Sequence, residues 1–426
     1  MKSVPEGAES RIDAPIGRAH NGYVVVDAPH PLAQKGPVAG QARGGITGAW
    51  RRFQFAVLVY LGTRILLILL AVVESGVRHH TLIKEFENWD GGWYRALATG
   101  GYPHHPFHGQ TTLGFFPLYP AVVWLVSRPL LFVAHPQWHA AVIAGLIVSG
   151  IGGLIAAILI QRLADGWWGE AAGRRAVALF CLFPGSVVFS MVYAEGIMIP
   201  LAIGCILALQ RRRWLLAGVL AALATASEPE AAVLVLVCAV SAGLELRRHG
   251  LASHRAHRSL LAPALAPLGL IGVVAFLWAW TGTPLAYWNA QHYGWNERFD
   301  PLALPHLAIR LAHQISFAHF NHPTINLNWP VGLIGAVLLA CLLVLMLRIR
   351  RTISPEAWVW TLGVGFIAVT SEWVPPNPRL LITAFPALIV LAYYLKRRAY
   401  GWLLAVNGAL LIGMSWLTFV HVTLRP

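Results

Sequence analysis

The stretch "FQFAVLVYLGTRILLILLAVVE", residues 53–74, decides the fold. Its only charges are Arg64 and the closing Glu74. As a helix rising about 1.5 Å per residue it crosses the roughly 30 Å of a bilayer's hydrocarbon. Similar runs follow at 138–161, 175–192, 196–210, 214–227, 230–246, 259–281, 329–347, 356–373, 379–395 and 400–421. With 57% hydrophobic and 12% charged residues, the chain has too few charges to cover a soluble surface. The reading is an all-α, polytopic transmembrane helical bundle of about eleven spans.

The formal charge of +14 belongs to topology rather than to nucleic acid, which is not an expected partner. The basic residues sit in short clusters between apolar runs: Arg211–Arg213, Arg247 with Arg248, Arg348 with Arg350 and Arg351, and Lys396–Arg398. Cytoplasmic turns carry this bias. Arg51 and Arg52 therefore put the N-terminus in the cytoplasm and residues 75–114 outside. Run 115–134 holds Pro117, Pro120 and Pro129, which break regular helix. Counting it as a span also breaks the charge parity, so it reads as a juxtamembrane or re-entrant element on the outer side. Residues 1–48, rich in Pro, Gly and Ala without a periodic apolar face, read as a disordered cytoplasmic tail. Residues 49–426 form one membrane domain. Arg64 is expected to pair or snorkel. Cys181, Cys205, Cys238 and Cys341 lie in apolar runs without metal-binding spacing and read as small packing residues.

Working outward from 53–74, the first outer segment contains "NWDGGWYRALATGGY", residues 88–102. On a helix starting near residue 89, Asp90 shares a face with Trp93, Tyr94 and Leu97. Asp90 is a candidate catalytic carboxylate; its plain alternative is an N-cap, a role for which Asn88 competes. On the same expected side lie Glu195 in "SMVYAEGIM", Glu228 and Glu230 in "TASEPEA", Arg298 in "QHYGWNERFDP" and Arg379 in "WVPPNPRLLITAFP". Acids near an apolar core need a partner or a task. Glu228 and Glu230 also read as solvated turn residues, and Glu230 is taken as one. Either arginine could bind phosphate through its fork of donors, or serve as an anchor or an ion-pair partner. His104, His105 and His108 read as a hydrated loop rather than a metal site, because a proline interrupts them.

Residues 88–102, followed by "GFFPLYP" at 114–120, resemble the PIG-V-type mannosyltransferases (GPI mannosyltransferase 2-like) of the GT-C glycosyltransferase superfamily. Trp89, Asp90, Trp93, Tyr94, Ala98, Gly101 and Tyr102 match that family's first loop, as do Phe115–Pro120. Tyr193 and Glu195 resemble a later Y-S-E segment, and Pro378, Arg379 and Pro386 a late P-R-Y-L-L-x-x-F-P segment. One departure stands out: the family's T-R-P-x-G element is "SEPEA" here, with Glu228 in place of Arg.

The resemblance implies a GT-C fold and transfer of a hexose, mannose in particular, from a polyprenyl-phosphate donor with inversion. The acceptor is a lipid or a protein or glycan hydroxyl. The expected setting is a multi-pass protein of the cell membrane with its active site on the extracytoplasmic side. Asp90 is assigned as base, Glu195 as acceptor or sugar orienter, and Arg379 with Arg298 as phosphate ligands. Trp89, Trp93 and Tyr94 line the sugar and prenyl site, and Tyr102 and Gln291 complete the substrate-binding set. No cofactor is expected, with a divalent metal left open. A secondary transporter and a non-catalytic membrane subunit or degenerate homologue are the alternatives.

Overall fold

The structure is a computed structural model that describes residues 46–78, 81–105, 109–250, 253–321 and 326–420. The expected tail therefore lies outside the described residues except for 46–48, which open the first helix. Among the described residues the elements are helical, and the one β-interaction is an isolated antiparallel bridge between Phe299 and Ser371.

In chain order the principal helices are α1 (Ile46–Arg78), α2 (Asp90–Gly100), α3 (Leu118–Leu130), α4 (Gln137–Trp168), α5 (Glu170–Leu182), α6 (Glu195–Gln210), α7 (Trp214–Thr225) and α8 (Val233–His249). They continue as α9 (Leu268–Thr281), α10 (Ala303–Asn321), α11 (Asn328–Arg348), α12 (Pro355–Thr370), α13 (Pro378–Thr383), α14 (Phe385–Tyr394) and α15 (Arg397–Val420). Among the described residues six helices are long and apolar enough to cross a membrane, or seven if one bent pair forms a single span. Every expected apolar run is at least partly helical, but several are short. Helix α6 has 16 residues, about 24 Å at 1.5 Å per residue.

Prolines account for the main departures from the expected spans. Run 175–192 is not one straight helix: α5 stops at Leu182, Phe183 turns extended, and a 3-10 helix, Pro184–Ser190, leaves at a 74° bend. Pro184 lacks the N–H that would continue α5 and pushes Phe183 out of helical geometry. Run 379–395 is likewise split into α13 and α14 at Ala384, ahead of Pro386. Run 115–134 yields the 13-residue α3, at about 20 Å too short to cross a bilayer.

Small residues bring the helices together. A Cβ on Gly152 of α4 would lie 1.6 Å from the Gly196 carbonyl oxygen of α6, so these backbones touch. Arg64 is buried rather than snorkelling and, among the described residues, meets no carboxylate. Buried on α1, it donates to the Ser186 carbonyl at 2.6 Å and to the Ser186 and Ser190 hydroxyls at 3.0 Å each. It thereby satisfies polar groups of the 3-10 segment that leads to Tyr193 and Glu195. Cys181, Cys205 and Cys238 are buried as expected, whereas Cys341 is exposed on the surface of α11.

Candidate active site

Asp90 is the first residue of α2, and no side chain caps that helix. Its carboxylate instead pairs with the Arg379 guanidinium. Asn88 is not a cap either, since its amide donates to the Thr418 and Phe419 carbonyls at 3.4 and 3.3 Å. Trp89 precedes Asp90 at φ 60°, ψ −122°, a strained backbone for a bulky residue. Along α2 the expected face is seen: Tyr94, Leu97 and Ala98 are buried, and Trp93 is half-buried, stacked on Phe115 at 6.2 Å.

Arg379 reaches Asp90 because of local sequence. The Asn377 side chain accepts from the Leu380 N–H at 2.9 Å, and Pro378 opens α13, as N-cap and N1 residues favour. Gly185 lets this turn come close, because a Cβ there would sit 2.0 Å from the Pro378 carbonyl oxygen. The guanidinium then meets three acids. It pairs with Asp90 and Glu195, and its Nη2 lies 3.9 Å from Glu228 Oε1. It also packs over the Tyr193 ring at 4.8 Å. Tyr193 in turn accepts from the Asp90 N–H at 3.2 Å, and its carbonyl accepts from Ser149 at 3.0 Å. Ser149 lies 2.8 Å from Tyr119 of the "GFFPLYP" element.

Sequence reasoning undervalued Glu228. It is buried at an extended break, and its Oε1 accepts from the Tyr94 hydroxyl at 2.5 Å. Burial, and then the charge of Glu195, hold its carboxyl well above the usual carboxylate range. Burial, and next Glu228, likewise push the Tyr94 phenol up, so it stays a donor. An acid here faces Arg379 and Tyr94, whereas an arginine would face another guanidinium. The Tyr94–Glu228 pair links "NWDGGWY" to "SEPEA", which lie far apart in sequence. Glu230, expected as a solvated turn residue, is half-buried on the 3-10 turn Pro229–Ala232 and lines the cleft described next.

These groups open onto a cleft of about 570 Å³. Asp90, Tyr94, Gln291, Arg298 and Arg379 line it; Trp89, Trp93, Tyr102 and Glu195 do not. Glu195 is only 2% exposed and sits behind Arg379, a position suited to holding that guanidinium rather than to touching a ligand. The Tyr102 hydroxyl donates to the Phe115 carbonyl at 2.7 Å, and the Gln291 amide donates to the Gly114 carbonyl at 2.9 Å, so both brace the "GFFPLYP" loop. Trp288, Phe299, Phe366 and Trp373 add apolar wall, and all four are exposed.

Arg298 reaches the cleft from a loop tied to the end of α12. Asp300 N–H donates to the Thr370 carbonyl at 2.8 Å, Glu372 N–H to the Arg298 carbonyl at 3.1 Å, and Ser371 to Glu297 at 2.9 Å. Burial raises the Glu297 carboxyl above its usual value, against the pull of Ser371. The Arg298 side chain is exposed and, among the described residues, has no acidic partner. Among the described residues no three His, Cys, Asp or Glu side chains group as a metal site. His104 stacks on Trp280 at 4.4 Å, and His108 lies outside the described residues.

No protein-family model matches the chain. It resembles the ArnT structure from Cupriavidus metallidurans bound to undecaprenyl phosphate, with a TM-score of 0.45 and 15% identity over 80% of this chain and 61% of that one. It also resembles the Archaeoglobus fulgidus oligosaccharyltransferase in the apo form, with a TM-score of 0.43 and 12% identity over 88% of this chain and 56% of that one. Among curated proteins, GPI mannosyltransferase 2 of Drosophila pseudoobscura pseudoobscura is 29% identical over 125 residues, 28% of this chain and 24% of that protein. The matched stretch thus spans about a quarter of that relative's length. The likeness to GPI mannosyltransferase 2 expected from residues 88–120 is borne out: this chain is a helical membrane protein similar in sequence to a mannosyltransferase.

Proposed function

We propose that the chain is an integral membrane glycosyltransferase. It moves a hexose, mannose in this reading, from a polyprenyl phosphate to an acceptor hydroxyl with inversion at the anomeric carbon. It works on the extracytoplasmic side of a cell membrane that it crosses about eleven times, with its N-terminus in the cytoplasm. One observation carries the reading: Asp90, Glu228, Arg298 and Arg379, from four separated segments, meet in one cleft with an aromatic wall. Polar and apolar surfaces side by side suit an amphiphilic donor, and the sequence likeness to a mannosyltransferase supports the sugar.

In this reading the acceptor hydroxyl attacks C1 of the sugar as the C1–O bond to phosphate breaks, and polyprenyl phosphate leaves. The hydroxyl proton passes to Asp90. This one carboxylate, held in position by Arg379, serves as the base. That suffices with a good leaving group, since the proton is needed only as the new bond forms. Arg379 engages Asp90 and Glu195, which fixes the base in place. Arg298, free of acidic partners among the described residues, meets the phosphate and offsets the charge that develops there. Glu228, its carboxyl held above the usual range by burial, hydrogen-bonds the sugar or acceptor while Tyr94 fixes its orientation.

A transporter reading fits less well, because the sequence likeness is to a mannosyltransferase rather than to a carrier. Purified protein should transfer labelled mannose from polyprenyl-phosphate-mannose to a lipid or glycan acceptor, and less well from the glucose donor. No product from any prenyl-phosphate hexose would overturn the enzyme class.

A further inference from the structure

A second cavity, also about 570 Å³, lies on the exposed side of α4, α6 and α7. Ile151, Ile155 and Leu159 of α4, Leu201 and Gly204 of α6 and Leu220 of α7 give it an apolar floor. The close approach of Gly152 to Gly196 brings α4 and α6 together beneath it. Ile151 and Ile155 are 57% and 45% exposed, so nothing among the described residues covers the groove.

Charge is confined to one end. Arg162, Arg211 and Arg213 line the end where α4 and α6 finish, and Gly196, beside Glu195, lines the other. Among the described residues, neighbouring basic groups find acids: Arg52 pairs with Asp165 and Arg212 with Glu245, each at 3.4 Å. Arg162, Arg211 and Arg213 do not. Burial, and then the charges of Arg162, Arg213 and Arg52, hold the Arg211 guanidinium below its ordinary value. Unneutralised positive charge thus stands at the mouth of an apolar trough. From Ile147 to Arg162 the trough follows α4 for about 22 Å, more than half of the roughly 30 Å hydrocarbon thickness.

We infer that this groove binds one anionic phospholipid from the leaflet opposite the acid cluster. Its phosphate sits among Arg162, Arg211 and Arg213, and an acyl chain lies along α4 and α6. Charge complementarity selects this occupant, because a zwitterionic headgroup would bring its own cation against three arginines. The site lies apart from the cleft and does not depend on the transferase reading.

The test is native mass spectrometry of the full chain released from nanodiscs of phosphatidylcholine with 20% phosphatidylglycerol. Wild type should keep one phosphatidylglycerol. Ile155→Trp fills the trough without altering charge and should lose it. Arg162→Gln/Arg211→Gln/Arg213→Gln should weaken retention about 100-fold, from about fivefold per arginine near an anionic headgroup. Arg348→Gln/Arg350→Gln/Arg351→Gln removes equal charge from another basic cluster and should retain the lipid. Equal loss in that control would reduce the effect to general surface charge and overturn the inference. Retention by Ile155→Trp, no bound lipid in wild type, or a second copy of the chain seated on the groove would overturn it as well.

Discussion

Replacing Arg379 with Gln removes the cation that holds Asp90, Glu195 and Glu228 together. The Arg379 and Glu195 side chains are 17% and 2% exposed, so solvent screens their pair little. Deleting one partner of a buried pair costs about 3–5 kcal/mol, mostly from the charge left behind. Loss of packing over the Tyr193 ring adds about 0.5–1 kcal/mol. Arg379→Gln should therefore destabilise the protein by about 4–5 kcal/mol. Glu195→Gln alone should cost a similar amount, since it frees half of the guanidinium's attachment. The double variant has neither charge, so it should cost well under the sum, with a coupling energy of about 2–3 kcal/mol. Equilibrium unfolding in mixed micelles, followed by tryptophan fluorescence, measures all three. Costs that add to within about 0.5 kcal/mol would show that the two side chains do not depend on each other, and would refute the clamp.

Glu228 sets a pH dependence. Its folded carboxyl lies above the unfolded value of about 4.3, so the folded state keeps a proton that the unfolded chain has lost. Its contribution to stability is full below that value and is lost as pH rises through the folded pKa, at up to about 1.4 kcal/mol per unit. Melting curves from pH 5 to 8 should fall for wild type relative to Glu228→Gln; parallel curves would contradict this. Glu228→Ala should cost about 1–3 kcal/mol by leaving the buried Tyr94 hydroxyl unpaired, and Tyr94→Phe in the same chain should recover part of that in the same melts. Arg298→Gln should raise the donor KM with little change in melting temperature, whereas unchanged donor kinetics would remove Arg298 from the phosphate site. Gly152→Ala places a methyl group against the Gly196 backbone and should lower the melting temperature sharply. If it melted like wild type, the close contact of α4 and α6 would be wrong.

Much of this was legible in the sequence, for physical reasons. Apolar runs of bilayer length must be helical because no water satisfies their backbones in lipid, and the described helices follow those runs. Asp90, Tyr94 and Leu97 lie on α2 where their spacing predicts. The Asn377–Pro378 start of α13, which aims Arg379, is also a local signal. What was not legible depends on pairing across distance. No local pattern shows that Glu228 meets Tyr94, 134 positions away. Hence an acid in the place of an expected arginine stood only as a departure from the motif, although it completes a cluster. Glu195 looked like a ligand group because an acid in an apolar run invites a task, yet its position behind Arg379 gives it a clamp's geometry. Trp89 and Tyr102 match the motif, but the first lies on strained backbone away from the cleft and the second braces a loop. The proline breaks at Pro184 and Pro386 were visible as residues, but the 74° turn at Pro184 was not, because it depends on packing.

The most direct test compares wild type with Asp90→Asn for transfer of labelled mannose from polyprenyl-phosphate-mannose. The substitution preserves the side chain's shape but removes its basicity, and general-base catalysis contributes about 10²–10⁴-fold. Turnover should fall by at least about 100-fold, while the variant still folds and keeps its donor KM. Equal turnover by both proteins would contradict Asp90 as the base.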